Sequence, residues 1–298
     1  MSSTRVISVD FECRVPRKLE DALEALNEDG AQILAGGTDL LNNIKINAVK
    51  PRRLVYVLGI PELGFISVEG GRLIVGAAAL LSDIEHNRQV VSRFPALAEA
   101  INVIGGTQIR NMATLAGNLC NASPGADTPP ILLVLDAEVE ICWTNGGAGV
   151  QRSRLPLGGF FTGPKKTALK QGQMVHSVSI LLPPEHSGAA FRRLARVSLD
   201  IAKINCAAYI KRDGDTVQEA RIALGSVAPT PVRAPSIEKA LEGRRYSGGL
   251  FQEAAELVEE DIAPIDDVRS TADYRRQIAS LLVREALQEA WKRSGGKG

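Results

Sequence analysis

Two glycine-bearing corners, far apart in sequence, constrain this chain more than anything else in it. The first is Leu34-Ala35-Gly36-Gly37-Thr38-Asp39-Leu40; the second is Ala113-Thr114-Leu115-Ala116-Gly117-Asn118. Each borders or interrupts an apolar run and places small residues where a larger side chain would obstruct something. Glycine at a strand-to-helix corner lets the backbone approach a ligand and leaves N–H groups free to hold an anion. Taken singly, each corner reads more readily as a tight turn. Taken together with their flanks, they suit a grip on the two phosphates of a dinucleotide.

At 298 residues the chain has room for two domains. Its longest apolar runs, such as residues 131–135, are far too short to cross a bilayer. The start Met1-Ser2-Ser3-Thr4-Arg5 lacks the basic stretch and long apolar core of a signal peptide, so a cytoplasmic protein is expected. The 35 basic and 34 acidic residues nearly cancel, and no basic stripe interleaves with aromatics, which argues against nucleic acid as a partner. Cys13, Cys120, Cys142 and Cys206 are scattered and form no C-x-x-C pair; His86, His176 and His186 show no ligand spacing. No metal site is expected from these seven residues.

In order along the chain, residues 6–9 read as a short opening strand and Pro16 as the start of a helix. That helix carries Leu19, Ala22, Leu23 and Leu26 on one face and stops at Gly30. Residues 31–35 form a strand leading into the first corner, a short helix follows from Asp39, and residues 54–58 make another strand. This β-α-β unit places its glycine corner at the carboxyl end of a strand, where open α/β sheets hold ligands. A hairpin turns at Glu69-Gly70-Gly71. Helices are expected over 80–86, 95–103 and from Pro129, strands over 138–143 and 174–182, and a loop over 160–172. After Pro183-Pro184, three antiparallel strands (191–196, 204–211, 217–224) and helices at 236–241, 249–259 and 271–291 suggest a compact α+β unit. In the last helix Tyr274, Ile278, Leu281, Leu282 and Leu287 fall roughly on one face. Ser294-Gly295-Gly296-Lys297-Gly298 reads as a disordered tail.

The chain has no G-x-G-x-x-G after a strand, no G-x-x-x-x-G-K-[ST] and no G-x-S-x-G, which weighs against a Rossmann domain, a P-loop ATPase and a serine hydrolase. Asn118 and Asn121 face a polar ligand beside Gly117 or satisfy their own loop backbone. Asp127 caps the Pro129 helix or bonds ligand hydroxyls. Cys120 has no histidine near it in sequence and reads as a packed thiol. Lys203, between two strands, faces solvent or reaches an anionic ligand edge as a point charge.

These residues resemble one family along nearly the whole chain: the FAD-binding medium subunits of the molybdenum hydroxylases, which include the carbon monoxide dehydrogenase medium subunit and the xanthine dehydrogenase FAD subunit. The marks are Ala35-Gly36-Gly37-Thr38-Asp39-Leu40; the block Gln108-Ile109-Arg110-Asn111-Met112-Ala113-Thr114-Leu115-Ala116-Gly117-Asn118; Ala122-Ser123-Pro124 with Asp127; Asp200-Ile201-Ala202-Lys203; and Gly225-Ser226-Val227-Ala228-Pro229-Thr230-Pro231-Val232-Arg233. The order and spacing of all five carry the resemblance.

The resemblance implies an α+β fold: a two-part FAD-binding domain of the vanillyl-alcohol-oxidase type (1–183, with parts about 1–57 and 58–183), a C-terminal α+β domain (184–292) with a three-stranded antiparallel sheet and helices, and a tail (293–298). It implies that residues 34–40 and Ala113, Thr114, Gly117 and Asn118 wrap a non-covalent FAD, that Ile104 packs near the flavin ring, that Asn121 and Asp127 make polar contacts, and that Lys203 approaches from the second domain. It also implies partners: a large subunit with molybdopterin and the substrate site, and a small subunit with two [2Fe–2S] clusters, paired as a dimer of heterotrimers. Electrons would run from molybdenum through the clusters to FAD and on to an acceptor, with no general acid or base in this chain. Two departures stand out. The region after Asp127 is short and only Cys120 and Cys142 lie near it, which puts the extra [4Fe–4S] cluster of the 4-hydroxybenzoyl-CoA reductase branch in doubt; and Ala116 stands where many relatives carry a second glycine. A self-contained FAD-dependent oxidoreductase and a flavin-free scaffold are the alternatives. Arg192-Arg193-Leu194-Ala195-Arg196 is a candidate partner surface.

Overall fold

The computed structural model describes residues 7–147 and 149–296. The chain opens with a small parallel sheet. Strands β1 (Glu12–Arg14), β2 (Ala31–Leu34) and β3 (Arg53–Tyr56) lie in the order β1-β3-β2, with helices α1 (Leu19–Leu26) and α2 (Leu40–Lys45) in the connections. The expected face of α1 is buried, as Leu19, Ala22, Leu23 and Leu26 all pack inward. One expectation fails here. Val6 lies outside the described residues, Ile7, Ser8 and Val9 are not in a strand, and the opening strand is Glu12–Arg14. All of β1 is exposed, so no apolar alternation marks it; only its pairing with β3, Cys13 opposite Leu54, defines it.

A hairpin, β4 (Ile66–Glu69) and β5 (Arg72–Gly76), leads to a run of short helices: α3 (Leu81–His86), α4 (Arg88–Arg93), α5 (Pro95–Asn102), α6 (Thr107–Arg110), α7 (Leu115–Cys120) and α8 (Thr128–Val134). Helix α4 was not expected. Asn87 ends α3 and caps α4, its side chain accepting from the Gln89 N–H at 2.9 Å. Then come β6 (Glu138–Thr144), β7 (Val150–Pro156), β8 (Phe161–Gly163), β9 (Lys166–Thr167) and β10 (Met174–Leu181). Five of these strands form an antiparallel sheet in the order β4-β5-β10-β6-β7, while β8 and β9 make a separate hairpin inside the expected 160–172 loop. Strand β7 escapes a reading by periodicity because it is a polar edge, exposed along most of its length.

The last part holds β11 (Ser187–Leu194), β12 (Ile204–Asp213), β13 (Thr216–Gly225) and β14 (Val232–Arg233) in one antiparallel sheet, with α9 (Pro235–Leu241), α10 (Leu250–Ala255) and α11 (Ala272–Arg293). The expected three strands are therefore four; β14 is two residues long, too short to show a pattern. Both faces of this sheet are covered. Ile204, Cys206, Ala208 and Ile210 face the core shared with α9, α10 and α11. Ala207 and Tyr209, alternating with them, join the large core that also holds α5, α8 and the five-stranded sheet. Two-sided burial explains why β12 reads as one apolar run rather than an alternation. The α11 stripe is also corrected: Tyr274 and Leu281 are exposed at 37% and 38%, and the buried line runs Arg275, Ala279, Leu282, Val283, Ala286, Leu287, Ala290 and Trp291. The start of the expected tail is ordered. Arg293 belongs to α11, Ser294 is buried with its hydroxyl donating to the Trp291 carbonyl, and residues 297–298 lie outside the described ones. Among the described residues no helix is long and apolar enough to cross a membrane.

Candidate cofactor cleft

The two glycine corners meet. A Cβ placed on Gly36 would overlap the Met112 carbonyl and come within 3.0 Å of the Ala113 nitrogen, so only glycine permits this approach. The first corner turns at Gly37, whose φ of +70° is the left-handed conformation glycine adopts without strain. It then enters α2 through Leu41 N–H to Gly37 O (3.1 Å) and Asn43 N–H to Asp39 O (3.0 Å), while the Asn42 amide donates to Thr38 O at 2.7 Å. The N–H groups of Gly36, Gly37, Thr38 and Asp39 donate to no other group among the described residues. The second corner is fixed by Thr114, 2% exposed, which caps α7 by accepting the Gly117 N–H at 2.9 Å. The Leu81 N–H to Ala113 O bond (2.8 Å) ties this corner to the start of α3.

Between them opens a cleft of about 680 Å³, within the usual range for small-molecule and cofactor sites. Of the residues singled out from sequence, Ala35, Gly36, Gly37, Thr38, Asp39, Leu40, Ile104, Ala113, Thr114, Gly117, Asn118 and Asn121 line it. Leu34, Asp127 and Lys203 do not. Leu34 closes β2 just before the corner. Asp127 is buried against the C-terminal sheet: its Oδ1 accepts from Arg193 Nε (3.1 Å) and Asn205 Nδ2 (2.8 Å), and it makes no capping bond to α8. Burial pushes its carboxyl up to about 6, against the opposing pull of Arg193 and Asn205. Lys203 lies with its Nζ 5.1 Å from the Tyr274 ring centroid, and its carbonyl accepts from Arg275 at 2.9 Å.

Within the candidate partner surface Arg192–Arg196, Arg193 points inward. Its side chain is 9% exposed and is spent on Asp127, the Ser198 carbonyl and the Asp200 carbonyl. Arg192 pairs with Glu289 at 3.6 Å and Arg196 with Asp200 at 2.6 Å. Cys120 lines the cleft, and burial pushes its thiol up to about 12, which leaves it protonated and unreactive at neutral pH.

Sequence reasoning missed the third wall. Lys165, Leu169, Lys170 and the segment 171–175 complete the lining of the cleft. They sit in and after the β8–β9 hairpin, which carries no periodic signal. It also missed how Ile104 is held. Arg110, buried at 8%, donates to Glu85 Oε1 (2.9 Å), Gly105 O (3.1 Å) and Ile104 O (3.4 Å), and Asn102 donates to Glu85 Oε2 at 3.2 Å. This buried pair clamps the backbone at the point where Ile104 enters the wall.

A family model described as the FAD-binding domain in molybdopterin dehydrogenase matches residues 9–183, and one described as the CO dehydrogenase flavoprotein C-terminal domain matches residues 189–290. The chain is a medium subunit of the molybdenum hydroxylase family. It is 32% identical over 285 residues to the carbon monoxide dehydrogenase medium chain of Hydrogenophaga pseudoflava, covering 95% of this subunit and 98% of the relative. It is 33% identical over 285 residues to the putative xanthine dehydrogenase FAD-binding subunit of Escherichia coli K12, covering 94% and 95%. Among solved structures, carbon monoxide dehydrogenase from Hydrogenophaga pseudoflava superposes with a TM-score of 0.91 at 33% identity, covering 97% of this subunit and 99% of that chain. Quinoline 2-oxidoreductase from Pseudomonas putida 86 gives 0.88 at 29% identity, covering 96% and 98%.

The cleft of this subunit fits the FAD that its family binds. The unpaired N–H groups of the first corner are anion donors. Gly36 keeps both corners close enough to share one ligand, and the charged residues on the walls are two lysines and one aspartate, Lys165, Lys170 and Asp39. Among the described residues no cluster of His, Cys, Asp or Glu could hold a metal ion. The subunit is an oxidoreductase component whose own side chains offer binding and placement.

Proposed function

We propose that this subunit carries FAD non-covalently in the cleft between the two glycine corners and serves as the electron exit of a molybdenum hydroxylase. Bound there, FAD supplies two-electron redox chemistry between the iron–sulfur clusters of a partner and an external acceptor. The chain's residues bind and orient. Residues 35–40 with Ala113, Thr114, Gly117 and Asn118 wrap the cofactor, the free backbone N–H groups of Gly36 and Gly37 holding its pyrophosphate beside the Gly117 corner. Ile104, fixed from behind by Arg110, presents an apolar surface for the flavin ring. Asp39 accepts from ligand hydroxyls. Asp127 and Lys203 act from outside the wall, Asp127 by joining α8 to the C-terminal sheet and Lys203 from the far side of that joint. The chain divides in topology at Pro183-Pro184 into an FAD-binding part (1–183) and a C-terminal part (184–292). The partners are a molybdopterin-bearing large subunit and a small subunit with [2Fe–2S] clusters, two such heterotrimers pair, and the complex works in the cytoplasm.

The observation that carries this reading is the contact of Gly36 with the Met112 carbonyl, which makes one cleft from two distant glycine corners. The test is the absorbance spectrum of the purified full chain, before and after acid precipitation. A yellow protein that releases FAD into the supernatant, without a broad iron–sulfur shoulder, supports it. A colourless protein that does not take up added FAD refutes it.

A further inference from the structure

The third wall of the cleft contains a strained, cross-linked pair of segments. Ala122, at the end of α7, has φ +44°, and Lys165, in the turn of the β8–β9 hairpin, has φ +59°. Neither is glycine, and the left-handed region costs an ordinary L-residue free energy, so the surrounding structure must hold both in place. It does so by joining them: the Lys165 N–H donates to Ala122 O at 2.9 Å, and the Lys165 ammonium donates to Asn121 Oδ1 at 2.8 Å. Backbone and side chain of one residue thus pin the two residues that follow α7, Ala122 and Asn121.

The chemistry of this junction is one-sided. An ammonium group has donors and no acceptor. With one lone pair of its carbonyl oxygen taken by Lys165, the Asn121 side chain keeps both N–H donors of its NH₂ group. Both residues line the cleft. Asn121 lies one helical turn beyond Gly117, on the same face of α7. The junction is therefore rich in donors, close in sequence to the second glycine corner and on the lining of the same cleft as Gly36.

We propose that Lys165 and Asn121 form an anion subsite that closes on the pyrophosphate of the dinucleotide cofactor, with the β8–β9 hairpin delivering the cation. This rests on the FAD reading above. Lys165 supplies the point charge that the backbone N–H groups of the corners lack, from an exposed position on the cleft lining.

The test uses the full-length chain freed of cofactor, its K165M and K165R variants, and two probes: FAD, followed by loss of flavin fluorescence, and ADP, which carries the pyrophosphate without the flavin, as its competitor. K165M should bind both probes about tenfold more weakly, the low end for losing a charge-assisted hydrogen bond at a site open to water. K165R should stay near the parent, and the cofactor-free K165M, which keeps the backbone bond to Ala122 and loses only the exposed bond to Asn121, should melt within about 3 °C of the parent. K165M that binds ADP as the parent does overturns the subsite, whatever happens to FAD; if the parent binds FAD normally in that experiment, the FAD reading survives. A parent that binds neither probe removes both.

Discussion

Replacing Gly36 by alanine tests the central contact directly. The added Cβ would overlap the Met112 carbonyl and sit 3.0 Å from the Ala113 nitrogen, and both are backbone atoms that cannot rotate away. To regain an ordinary separation of about 3.5–4.0 Å from the Met112 carbonyl, the two corners must part by roughly 2 Å. Overpacking of this kind typically costs about 1–3 kcal/mol, and each kcal/mol lowers the melting temperature of a chain this long by roughly 2 °C or slightly less. The larger effect should fall on the ligand. A gap of that size forfeits more than about half of each dispersion contact at the seam and moves donors off the phosphate, so FAD affinity should drop by more than about tenfold, or about 1.4 kcal/mol. Gly70→Ala is the control. Gly70 has φ +56° in a hairpin turn with nothing within 4 Å of the added atom, so it carries backbone strain without a clash and lies off the cleft. Thermal melts and FAD fluorescence titrations of the parent and the two variants separate the cases. If Gly36→Ala binds FAD as tightly as the parent, the corners do not share a ligand and the reasoning fails.

Other perturbations follow from the buried ion pairs. Arg193→Ala leaves the Asp127 carboxylate without its cation and should cost about 3–5 kcal/mol in denaturant unfolding, whereas exposed Arg196→Ala should barely register; equal effects would contradict the inward placement of Arg193. Because burial raises the Asp127 carboxyl to about 6, above its unfolded value near 3.9, the folded state holds that proton more tightly. Stability should therefore fall as pH rises from about 4 to about 6, and Asp127→Asn should lose that part of the pH profile. Arg110→Ala strands the buried Glu85 carboxylate and frees the backbone at Ile104, so it should cost about 3–5 kcal/mol and shift the bound-flavin absorbance bands. Arg110→Lys, with one donor group instead of a fork, should recover the stability in part and the spectrum less; unchanged spectra in both would confine Arg110 to a structural role.

Both corners and most of the flanking elements were legible because they are local: apolar spacing marks α1, glycine marks the turns, and proline marks the starts of α5 and α8. Three kinds of feature were not. Polar edges such as β1 and β7 have no buried face to impose a pattern. The third wall depends on a hairpin that Lys165 joins to α7 across a long stretch of sequence, and nothing near Lys165 announces it. Asp127 was read against its immediate neighbours, as a cap or a ligand contact, when its partners Arg193 and Asn205 lie far along the chain. A carboxylate beside a helix start looks the same in sequence in each role, and only the burial of the surrounding sheet decides among them.

That same burial argues that the C-terminal part is scaffold for the cleft rather than an appendage to it. Phe191, Ala207, Tyr209 and Ala223 share one core with α5 and α8, and two arginines of β13 and β14 finish α8: Arg221 donates to Val134 O at 2.8 Å and Arg233 to Leu133 O at 3.5 Å. These carbonyls are among those a helix cannot satisfy from within. Ending the chain at Pro183 would remove them, expose the fully buried Ile131, Leu132 and Val134 on α8, and leave Asp127 without either partner. Each large apolar side chain returned to water costs about 1.5–3 kcal/mol, so α8 alone would consume much of the roughly 5–15 kcal/mol that holds a typical domain folded. A chain of residues 1–183 should therefore bind a hydrophobic dye, melt without a cooperative transition and fail to retain FAD, although both glycine corners are present in it. If it melts cooperatively and binds FAD like the full subunit, the shared core is not needed, and the cleft is built by the N-terminal part alone.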